Sequence, residues 1–286
     1  MNGILVIYKE KGYTSRDVVN ILGRELKTKK IGHTGTLDPL ATGVLVVCVG
    51  QGLKLVELLT NHDKEYIAKI RLGIETDTLD ITGNVLKSEQ IRNYSKEEVE
   101  GVLKRFVGKL KQTVPKYAAI KVDGKKLYEY ARNGEEVELP VRDIEIYDLK
   151  LVSDVKNGEF YIKCHVSKGT YIRSLVRDIG YALGTVATMI ELERTKLGNF
   201  SLEDTYTLDN IRSGMYSILS IDDVLDLPKV VVDSELEKKI KNGCVLDKFF
   251  DEDMVMVMNN SNQLLAIYQV RDDGKVKPYR MFVKGD

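Results

Sequence analysis

The segment from Gly32 to Ala41 constrains the fold more than any other stretch of the chain, because it joins a glycine-containing loop to an apolar strand. It reads Gly-His-Thr-Gly-Thr-Leu-Asp-Pro-Leu-Ala, and the apolar run Val44–Val49 follows closely. Glycine lets the backbone turn tightly, while Pro39 restricts Asp38 to extended conformations and has no N–H to donate. The segment predicts a rigid loop that holds one carboxylate at the mouth of a sheet. Taken alone, an Asp-Pro pair more often only caps a turn.

The composition is that of a globular protein large enough to bury a core. The chain has 286 residues, of which 43% are hydrophobic and 30% are charged. No apolar run approaches the roughly 20 residues of a membrane span, and the N-terminus lacks the basic lead and cleavage site of a signal peptide. The 3 cysteines, Cys48, Cys164 and Cys244, fit neither a disulfide framework nor a zinc site. We therefore expect a cytoplasmic protein with no membrane contact and no bound metal.

Charged residues are segregated along the chain, although the formal net charge is zero. Basic residues dominate two stretches, one before the Gly32–Ala41 loop and one across residues 104–126: Arg24, Lys27, Lys29, Lys30, Lys104, Arg105, Lys109, Lys111, Lys116, Lys121, Lys125 and Lys126. Acidic residues concentrate in residues 203–226 instead. Segregated charge of this kind can form a basic face that neutralises phosphates. Solvated helices and loops explain the same pattern equally well.

Helix and strand signals are mixed along the chain. Strands are predicted at 4–8, 44–49 and 65–72, and helices after Thr14, at 53–59, from Ser95 through Phe106, at 125–133 and at 170–183. The clearest hairpin pairs residues 148–155 with 160–166 across Asn157-Gly158, because Asn-Gly supplies the positive φ angles of such a turn. Since the pattern is not a regular βαβ alternation, we predict an α+β fold with a mixed, largely antiparallel sheet and flanking helices.

A domain boundary is predicted near Asp226-Leu227-Pro228, which divides the chain into residues 1–227 and 228–286. Beyond the boundary, a short helix at 234–241 precedes short strands at 254–258, 263–270 and 277–283. Short strands separated by turn signals favour a small β-barrel-like domain. In position and length, this segment is similar to the PUA-type RNA-binding domains that end many tRNA-modifying enzymes.

Several motifs follow one another in the order and at the separations of a known family. They are Gly12-Tyr13-Thr14-Ser15 after Lys9, the Gly32–Ala41 segment, Lys64-Glu65-Tyr66, Thr76–Gly83, Pro115–Lys121, Ser167–Arg173 and Leu192–Thr195. Together they resemble the tRNA pseudouridine synthases of the TruB type, which isomerise a uridine in the T-loop of tRNA. Two positions depart from the family pattern, since Glu10 stands where proline is usual and Leu53 where threonine is usual.

The resemblance implies a pseudouridine-synthase core over residues 1–227, with an insert at about 104–140 that grips the T-arm of tRNA. It implies that Asp38 is the catalytic nucleophile acting on uridine 55, paired with Arg173, which keeps it ionised and aimed. The other substrate-binding residues implied are Tyr66 stacked on the flipped-out base, Tyr171 beside it, Leu192 as an apolar wall, His33 packing at the flipped-out loop, and Lys9 and Lys121 as phosphate or structural contacts. Because the reaction is an isomerisation, no cofactor is expected, and nothing in the chain demands a partner subunit.

Two other classes of function compete with this hypothesis. The first is an RNA-binding chaperone that engages tRNA through the same basic face without essential catalysis; a carboxylate in an anion-binding groove would serve it no purpose. The second is an N-glycosidase, which generally needs a second carboxylate to activate water. The Gly32–Ala41 loop has no second acid, and Asp77 and Asp80 are the nearest alternatives. The sequence also leaves open whether Asp38 attacks the ribose, attacks the uracil or removes a ribose proton.

Overall fold

The computed structural model describes residues 1–283. The strands of this part of the chain are β1 Gly3–Lys9, β2 Ile31–His33, β3 Thr42–Val49, β4 Lys64–Leu72, β5 Ile74–Thr76, β6 Val85–Ser88, β7 Gly108–Thr113, β8 Lys121–Val122, β9 Lys125–Lys126, β10 Val141–Leu151, β11 Glu159–Val166, β12 Ala187–Leu197, β13 Phe200–Ser201, β14 Lys229–Val231, β15 Met254–Met258, β16 Leu264–Val270 and β17 Val276–Met281. The helices are α1 Ser15–Glu25, α2 Val56–Thr60, α3 Lys96–Lys104, α4 Leu127–Asn133, α5 Ile172–Ala182, α6 Leu208–Arg212 and α7 Ser234–Lys241. Two 3₁₀ helices cover Gly50–Leu55 and Leu202–Asp204.

A nine-stranded mixed sheet forms the centre of the molecule. Its main strand order is β1-β3-β12-β4-β11-β10-β7, with β2 beside β3 and β13 beside β12. Neighbouring strands run antiparallel except β3 and β12, which pair in parallel. The α+β fold with a mixed, largely antiparallel sheet is therefore confirmed. Among the described residues, no helix has the length and apolarity needed to cross a membrane.

Strands β1 and β3 lie at the centre of the packing because both of their faces are buried. In β1, Leu5 and Ile7 join one apolar cluster while Ile4 and Val6 join another. The first cluster contains apolar residues of α1, α3, α5 and α6, and the second contains residues of the 50–60 segment and of the C-terminal strands. A strand buried on both faces reads as a continuous apolar run rather than an alternating one. This explains the unbroken apolar sequences of β1 and β3.

The C-terminal residues form a separate four-stranded sheet in the order β14-β15-β16-β17. Within residues 1–283 its edge strands β14 and β17 do not pair with each other, so the sheet is open rather than a closed barrel. It has a core of its own with α7, which includes Ile240, Phe250 and Tyr268. Met256 and Ile267 from its other face pack into the cluster beneath β1 and β3. The boundary predicted at 227/228 stays a prediction.

Most local signals in the sequence correspond to observed elements. The Thr14 side chain accepts a hydrogen bond from the backbone N–H of Asp17 at the start of α1. Asn157 and Gly158 have φ angles of 51° and 73° in the hairpin between β10 and β11. The predicted helix at 234–241 is α7.

Four predicted helices have different bounds in the structure. In place of the helix predicted at 53–59, a 3₁₀ helix over Gly50–Leu55 is followed by α2 at Val56–Thr60. The helix predicted at 125–133 begins only at Leu127, because Lys125 and Lys126 pair with Lys121 and Val122 as the short hairpin β8–β9. The helix from Ser95 ends at Lys104, and α5 begins at Ile172 instead of residue 170. Helix ends fray and are the least certain part of any assignment from local sequence.

Gly43 allows the close approach of β12 to β3 where the two strands pair in parallel. Its φ angle is 99°, and a Cβ built at this position would lie 2.3 Å from the Arg194 carbonyl oxygen and 2.9 Å from the Arg194 nitrogen. Both atoms belong to the backbone of β12, so neither can move away cheaply. Glycine is therefore required here by conformation and by space.

We predict that Gly43→Ala lowers the free energy of unfolding by about 1–3 kcal/mol, the cost of holding a non-glycine residue in a disfavoured conformation. Gly101→Ala is the matched control, because Gly101 lies in α3 and a Cβ added to it would meet no other atom within 4 Å. That substitution should stabilise the protein by about 0.5–1 kcal/mol, since alanine has the higher helix propensity. Urea unfolding of both variants measures the two changes. Equal effects at the two glycines would contradict the account.

Candidate active site

A cleft of about 1270 Å³ opens where the Gly32–Ala41 loop meets the mixed sheet. Its lining comes from residues 34–40, the start of β4, residues 78–82, insert residues 117–120, part of α4, residues 141–143, residues 168–173 and two residues of β12, together with Thr14 and Thr60. Four of the predicted site residues meet in this lining around Asp38, namely Tyr66, Tyr171, Arg173 and Leu192. The topology therefore brings together residues that are far apart in the sequence.

The backbone on either side of Asp38 is fixed by hydrogen bonds. The Leu37 N–H donates to the buried Ser15 hydroxyl at 2.8 Å, which in turn reaches the Leu37 carbonyl at 3.3 Å. The Ala41 N–H donates to the Asp38 carbonyl at 3.0 Å, which closes a turn with Pro39 in its second position. The Gly12 N–H donates to the Pro39 carbonyl at 2.8 Å. The rigid loop predicted from the sequence is what the structure contains.

Arg173 clamps the Asp38 carboxylate with two contacts. Its Nε lies 2.9 Å from Oδ2, and its Nη2 donates to Oδ1 at 3.2 Å. The same guanidinium donates from Nη2 to the Tyr117 carbonyl and from Nη1 to the Thr78 carbonyl, both at 3.0 Å. The Arg173 side chain is 7% exposed and the Asp38 side chain 33%. The carboxylate thus faces the cleft while its partner is sealed in the protein, a geometry that a bidentate arginine favours.

The pKa of the Asp38 carboxyl is raised above its ordinary value. Burial is the main cause, and the negative charge of Asp80 adds to it, while the charges of Arg173 and Lys9 act in the opposite direction. Because folding raises this pKa, ionisation of Asp38 costs folding free energy as the pH rises through it. A carboxylate that is poorly compensated and held in a cleft is typical of a reacting group.

Tyr66 and Leu192 form an apolar part of the lining of the cleft that holds Asp38. Tyr66 lies on β4, where Arg194 of β12 and Cys164 of β11 flank it in register, and it is 8% exposed. Burial raises the pKa of its phenol, against the charge and hydrogen bond of Arg194, so the hydroxyl keeps its proton at neutral pH. Leu192 is buried two residues before Arg194 on β12. A flat ring beside an aliphatic side chain suits a planar, apolar-faced ligand.

Three of the predicted site residues lie outside the lining of the cleft: His33, Lys9 and Lys121. His33 is half-buried on β2, and burial lowers its pKa, so the imidazole is neutral at neutral pH. Lys121 is exposed on β8.

Lys9 is fully buried, and its Nζ donates to the carbonyls of Glu10 at 3.0 Å and Tyr13 at 2.7 Å. Burial lowers its pKa to about 8. Of the two roles left open for Lys9, these contacts favour the structural one, because the ammonium group binds loop carbonyls inside the protein, and the phosphate contact stays a prediction.

The basic residues that line the cleft are not those of the 104–126 stretch. They are Lys64, Arg132, Arg142, Lys168, Arg173 and Arg194, against the carboxylates Asp38, Asp80 and Asp143. In the 104–126 stretch, Lys111 pairs with Asp143 at 3.1 Å and Lys125 with Glu135 at 2.6 Å. The excess of cations around the cleft favours a polyanionic ligand. Among residues 1–283, no group of His, Cys, Asp and Glu side chains could hold a metal ion.

Sequence reasoning missed several functional contacts. Asp80 is 5% exposed and accepts hydrogen bonds at Oδ1 from the Thr78 hydroxyl and from the Thr82 N–H and hydroxyl, which shapes one wall of the cleft. The threonines on both sides of Asp80 in the sequence could have indicated that its carboxylate accepts hydrogen bonds within the loop. The fully buried Arg194 donates to the carbonyls of Val44 and Gly35 at 2.7 and 3.2 Å. The contacts of Arg194 involve backbone atoms of distant segments, so no local sequence pattern predicts them.

Profiles of two known domains match most of the chain. The one described as TruB family pseudouridylate synthase (N terminal domain) matches residues 23–172, and the one described as tRNA pseudouridylate synthase B C-terminal domain matches residues 173–235. A tRNA pseudouridine synthase B of Oceanobacillus iheyensis is 44% identical over 301 aligned positions, covering 100% of this chain and 99% of the relative. Another of that name from Caldanaerobacter subterraneus is 39% identical over 284 positions, covering 99% of both.

Solved structures share the fold. A chain of an H/ACA ribonucleoprotein bound to a substrate RNA containing 2′-deoxyuridine matches with a TM-score of 0.72 and 24% identity, over 99% of this chain and 86% of that chain. The fold and the matching domain profiles together define a pseudouridylate synthase. More narrowly, the chain belongs to the TruB family, and the resemblance of its sequence motifs is confirmed.

We predict that Asp80→Asn lowers the pKa of the Asp38 carboxyl, because the change removes the negative charge that helps to raise it. The asparagine retains an Oδ1 that accepts the same hydrogen bonds, so the loop should keep its shape. A carbon-detected NMR titration of the Asp38 carboxyl measures the shift directly.

Asp77→Asn is the matched control for this titration. Asp77 lies in the same loop and accepts from the Asn84 N–H and side-chain amide, and its charge is not among the causes of the Asp38 shift. It should leave the Asp38 pKa near the wild-type value. A pKa that stays constant or rises in Asp80→Asn would refute the electrostatic account of the cleft.

Proposed function

We propose that the protein converts a uridine of tRNA to pseudouridine and that its target is uridine 55 in the T-loop. Membership of the TruB family supports the reaction, as do full-length relatives named tRNA pseudouridine synthase B. The observation that carries the proposal is the bidentate Asp38–Arg173 pair at the base of a cationic cleft. We propose tRNA, through its T-arm, as the partner of this cleft.

In the proposed chemistry, Asp38 is the nucleophile. The bond between N1 of uracil and C1′ of ribose breaks, the base turns, and a bond forms between C5 and C1′. C5 loses a proton and N1 gains one, so atoms and charge balance without a cofactor. Arg173 acts by keeping the carboxylate ionised and aimed, since its two donors bind both carboxylate oxygens.

We propose that Tyr66 stacks on the extruded uracil, with Leu192 and Tyr171 completing the slot. A base inside a folded RNA loop must be flipped out before a side chain can reach it. Stacking on an aromatic ring is worth about 1–3 kcal/mol per base. The phenol of Tyr66 stays protonated at neutral pH because burial raises its pKa, so in this state it serves as a stacking surface and hydrogen-bond donor and not as the base that takes the proton from C5. We also propose that His33, which lies in the segment before Asp38, packs in the place of the flipped-out RNA loop.

The RNA backbone is proposed to follow the exposed cations at the rim of the cleft. Arg132, Arg142 and Lys168 are exposed in the lining of the cleft, and Lys168 donates to the Asn61 side chain at 2.9 Å. Lys121, exposed on β8, would extend this contact along the insert at about 104–140. Each neutralised phosphate contributes to affinity by releasing counterions, so binding should weaken steeply with salt.

We also propose that residues 1–227 form the catalytic domain and residues 228–286 a small RNA-binding domain of PUA type. The independent apolar core around Ile240, Phe250 and Tyr268 supports such a unit. Its packing against the cluster beneath β1 would fix it relative to the catalytic domain. The protein is also proposed to act as a monomer in the cytoplasm.

The alternative is a tRNA chaperone without essential catalysis that uses the same cleft. The position of Asp38 favours the enzyme. A carboxylate that faces an anion-binding cleft and whose pKa is raised by burial weakens RNA binding, and a pure binder gains nothing from it. Asp80 also lines the cleft, yet it is committed to three hydrogen bonds within its own loop. This argues against Asp80 as the water-activating group of an N-glycosidase.

We predict that Asp38→Asn abolishes turnover of an unmodified tRNA transcript while tRNA affinity stays the same or rises, because a negative charge is removed from the cleft. Tritium release from C5-labelled uridine measures turnover, and mapping of the modified position shows whether it is uridine 55. Filter binding measures affinity.

Asp143→Asn is the control for this substitution, since Asp143 is an exposed cleft carboxylate paired with Lys111 at the rim. It should keep turnover near the wild-type rate. Substantial turnover by Asp38→Asn would exclude Asp38 as the nucleophile. Pseudouridine at a position outside the T-loop would contradict the proposed substrate and leave the reaction class standing.

A further inference from the structure

A buried glutamine joins β7 to the start of α5. Gln112 is 3% exposed, and its side-chain amide forms hydrogen bonds with the backbone of a single residue, Tyr171. Its Nε2 donates to the Tyr171 carbonyl at 3.1 Å, and its Oε1 accepts from the Tyr171 N–H at 2.8 Å. A primary amide has both a donor and an acceptor, so it can bind a peptide unit at two points. Both ends of this side chain are used on one residue.

Tyr171 is the capping residue directly before α5, which begins at Ile172. Its own side chain makes no capping hydrogen bond to the helix, and its carbonyl accepts the first helical bond from the Leu175 N–H at 3.0 Å. With the bond from Gln112, both lone pairs of this carbonyl are occupied. Helix starts are normally fixed by a side chain at the capping position itself. At the start of α5 no side chain of Tyr171 does this, and Gln112 of β7 instead holds the backbone N–H and carbonyl of the capping residue.

Arg173 follows two residues later, in the first turn of α5. The direction in which its side chain leaves the helix therefore depends on how the peptide of Tyr171 is oriented. Gln112 is separated from Tyr171 by 59 positions in the sequence, and it lies at the foot of the insert, because β7 ends at Thr113. The insert makes two more contacts with the start of α5. Tyr171 packs against a small apolar cluster of the insert, formed by Val114, Ala118 and Leu127. The Tyr117 carbonyl accepts a hydrogen bond from Arg173.

We propose that Gln112 is a positioning residue for the Asp38–Arg173 pair. It holds the first turn of α5 so that the Arg173 guanidinium meets both oxygens of Asp38, and it ties this geometry to the foot of the insert. The inference rests on the roles proposed above for Asp38 and Arg173. A misplacement of about 1 Å in a reacting constellation can lower a rate by about 100-fold. Loss of the amide should therefore lower kcat and leave the affinity for tRNA largely intact.

The first test uses Gln112→Met, which keeps the length and volume of the side chain and removes both hydrogen bonds. We expect the single-turnover rate at saturating tRNA to fall by about 10- to 100-fold, the range that small misplacements produce, with KM near the wild-type value. A residue that only stabilises the fold would lower the melting temperature and leave the rate of the folded fraction unchanged.

Ser174→Ala is the matched control for stability. The fully buried Ser174 hydroxyl donates to the Thr113 carbonyl at 2.8 Å, so it links the same two elements without touching the peptide of Tyr171. We expect it to lower the melting temperature as Gln112→Met does and to keep the wild-type rate. If both variants lose stability equally and both keep the wild-type rate, the positioning role is overturned.

Gln112→Glu provides a second readout that does not depend on Gln112→Met folding well. A protonated glutamic acid both donates and accepts, as glutamine does, whereas the carboxylate cannot donate to the Tyr171 carbonyl. The rate relative to wild type should therefore fall as the pH rises through the pKa of the new carboxyl, and recover as the pH is lowered. A constant ratio across the pH range, at either a low or a wild-type rate, would overturn the inference.

Asp38→Asn measured in parallel separates this inference from the proposed function. If Asp38→Asn is inactive while Gln112→Met and Gln112→Glu turn over tRNA at the wild-type rate, only the role of Gln112 fails. If Asp38→Asn retains turnover, the proposed function fails whatever the Gln112 variants do.

Discussion

The ion pair between Asp38 and Arg173 is the interaction on which the cleft depends. The guanidinium binds the carboxylate of the Gly32–Ala41 loop and also the carbonyls of Thr78 and Tyr117. One side chain of α5 thus joins the Gly32–Ala41 loop, the 76–83 loop and the insert. Removing the Asp38 charge would leave the buried Arg173 guanidinium without a counter-charge, which is costly in the protein interior. The walls of the cleft are held together by the group that also orients the Asp38 carboxylate.

The two partners of the ion pair are buried to different degrees, so the pair can stabilise the cleft and still leave the Asp38 carboxylate accessible. Arg173 is almost fully enclosed, and carbonyl oxygens satisfy its other donors, whereas a third of the Asp38 side chain stays open to the cleft. The pKa of Asp38 is raised because burial and Asp80 together outweigh the attraction of Arg173. A carboxylate that is fixed in direction and incompletely neutralised can attack an electrophile at little reorganisation cost.

Local sequence chemistry predicted the elements that depend on near neighbours. The cap at Thr14, the Asn157-Gly158 turn and helix α7 are of this kind. Strand β12 was missed although it is central, because Ala187–Leu197 mixes charged and apolar residues and its Arg194 is buried through long-range hydrogen bonds. The family motifs led to Asp38 and Arg173, which the fold brings into contact. The contribution of Gln112 was invisible in the sequence, because it binds backbone atoms of a distant segment and leaves no periodic signal.

The central claim is that Arg173 works through its two-point geometry and not through charge alone. Arg173→Lys tests it most directly, because lysine keeps the positive charge and cannot bind both carboxylate oxygens side by side. We predict that its single-turnover rate on saturating tRNA falls by about 100-fold or more, the scale expected for a displaced reacting group, while tRNA affinity stays near that of the wild type. A rate close to wild type would show that a nearby positive charge is sufficient, and would contradict the account.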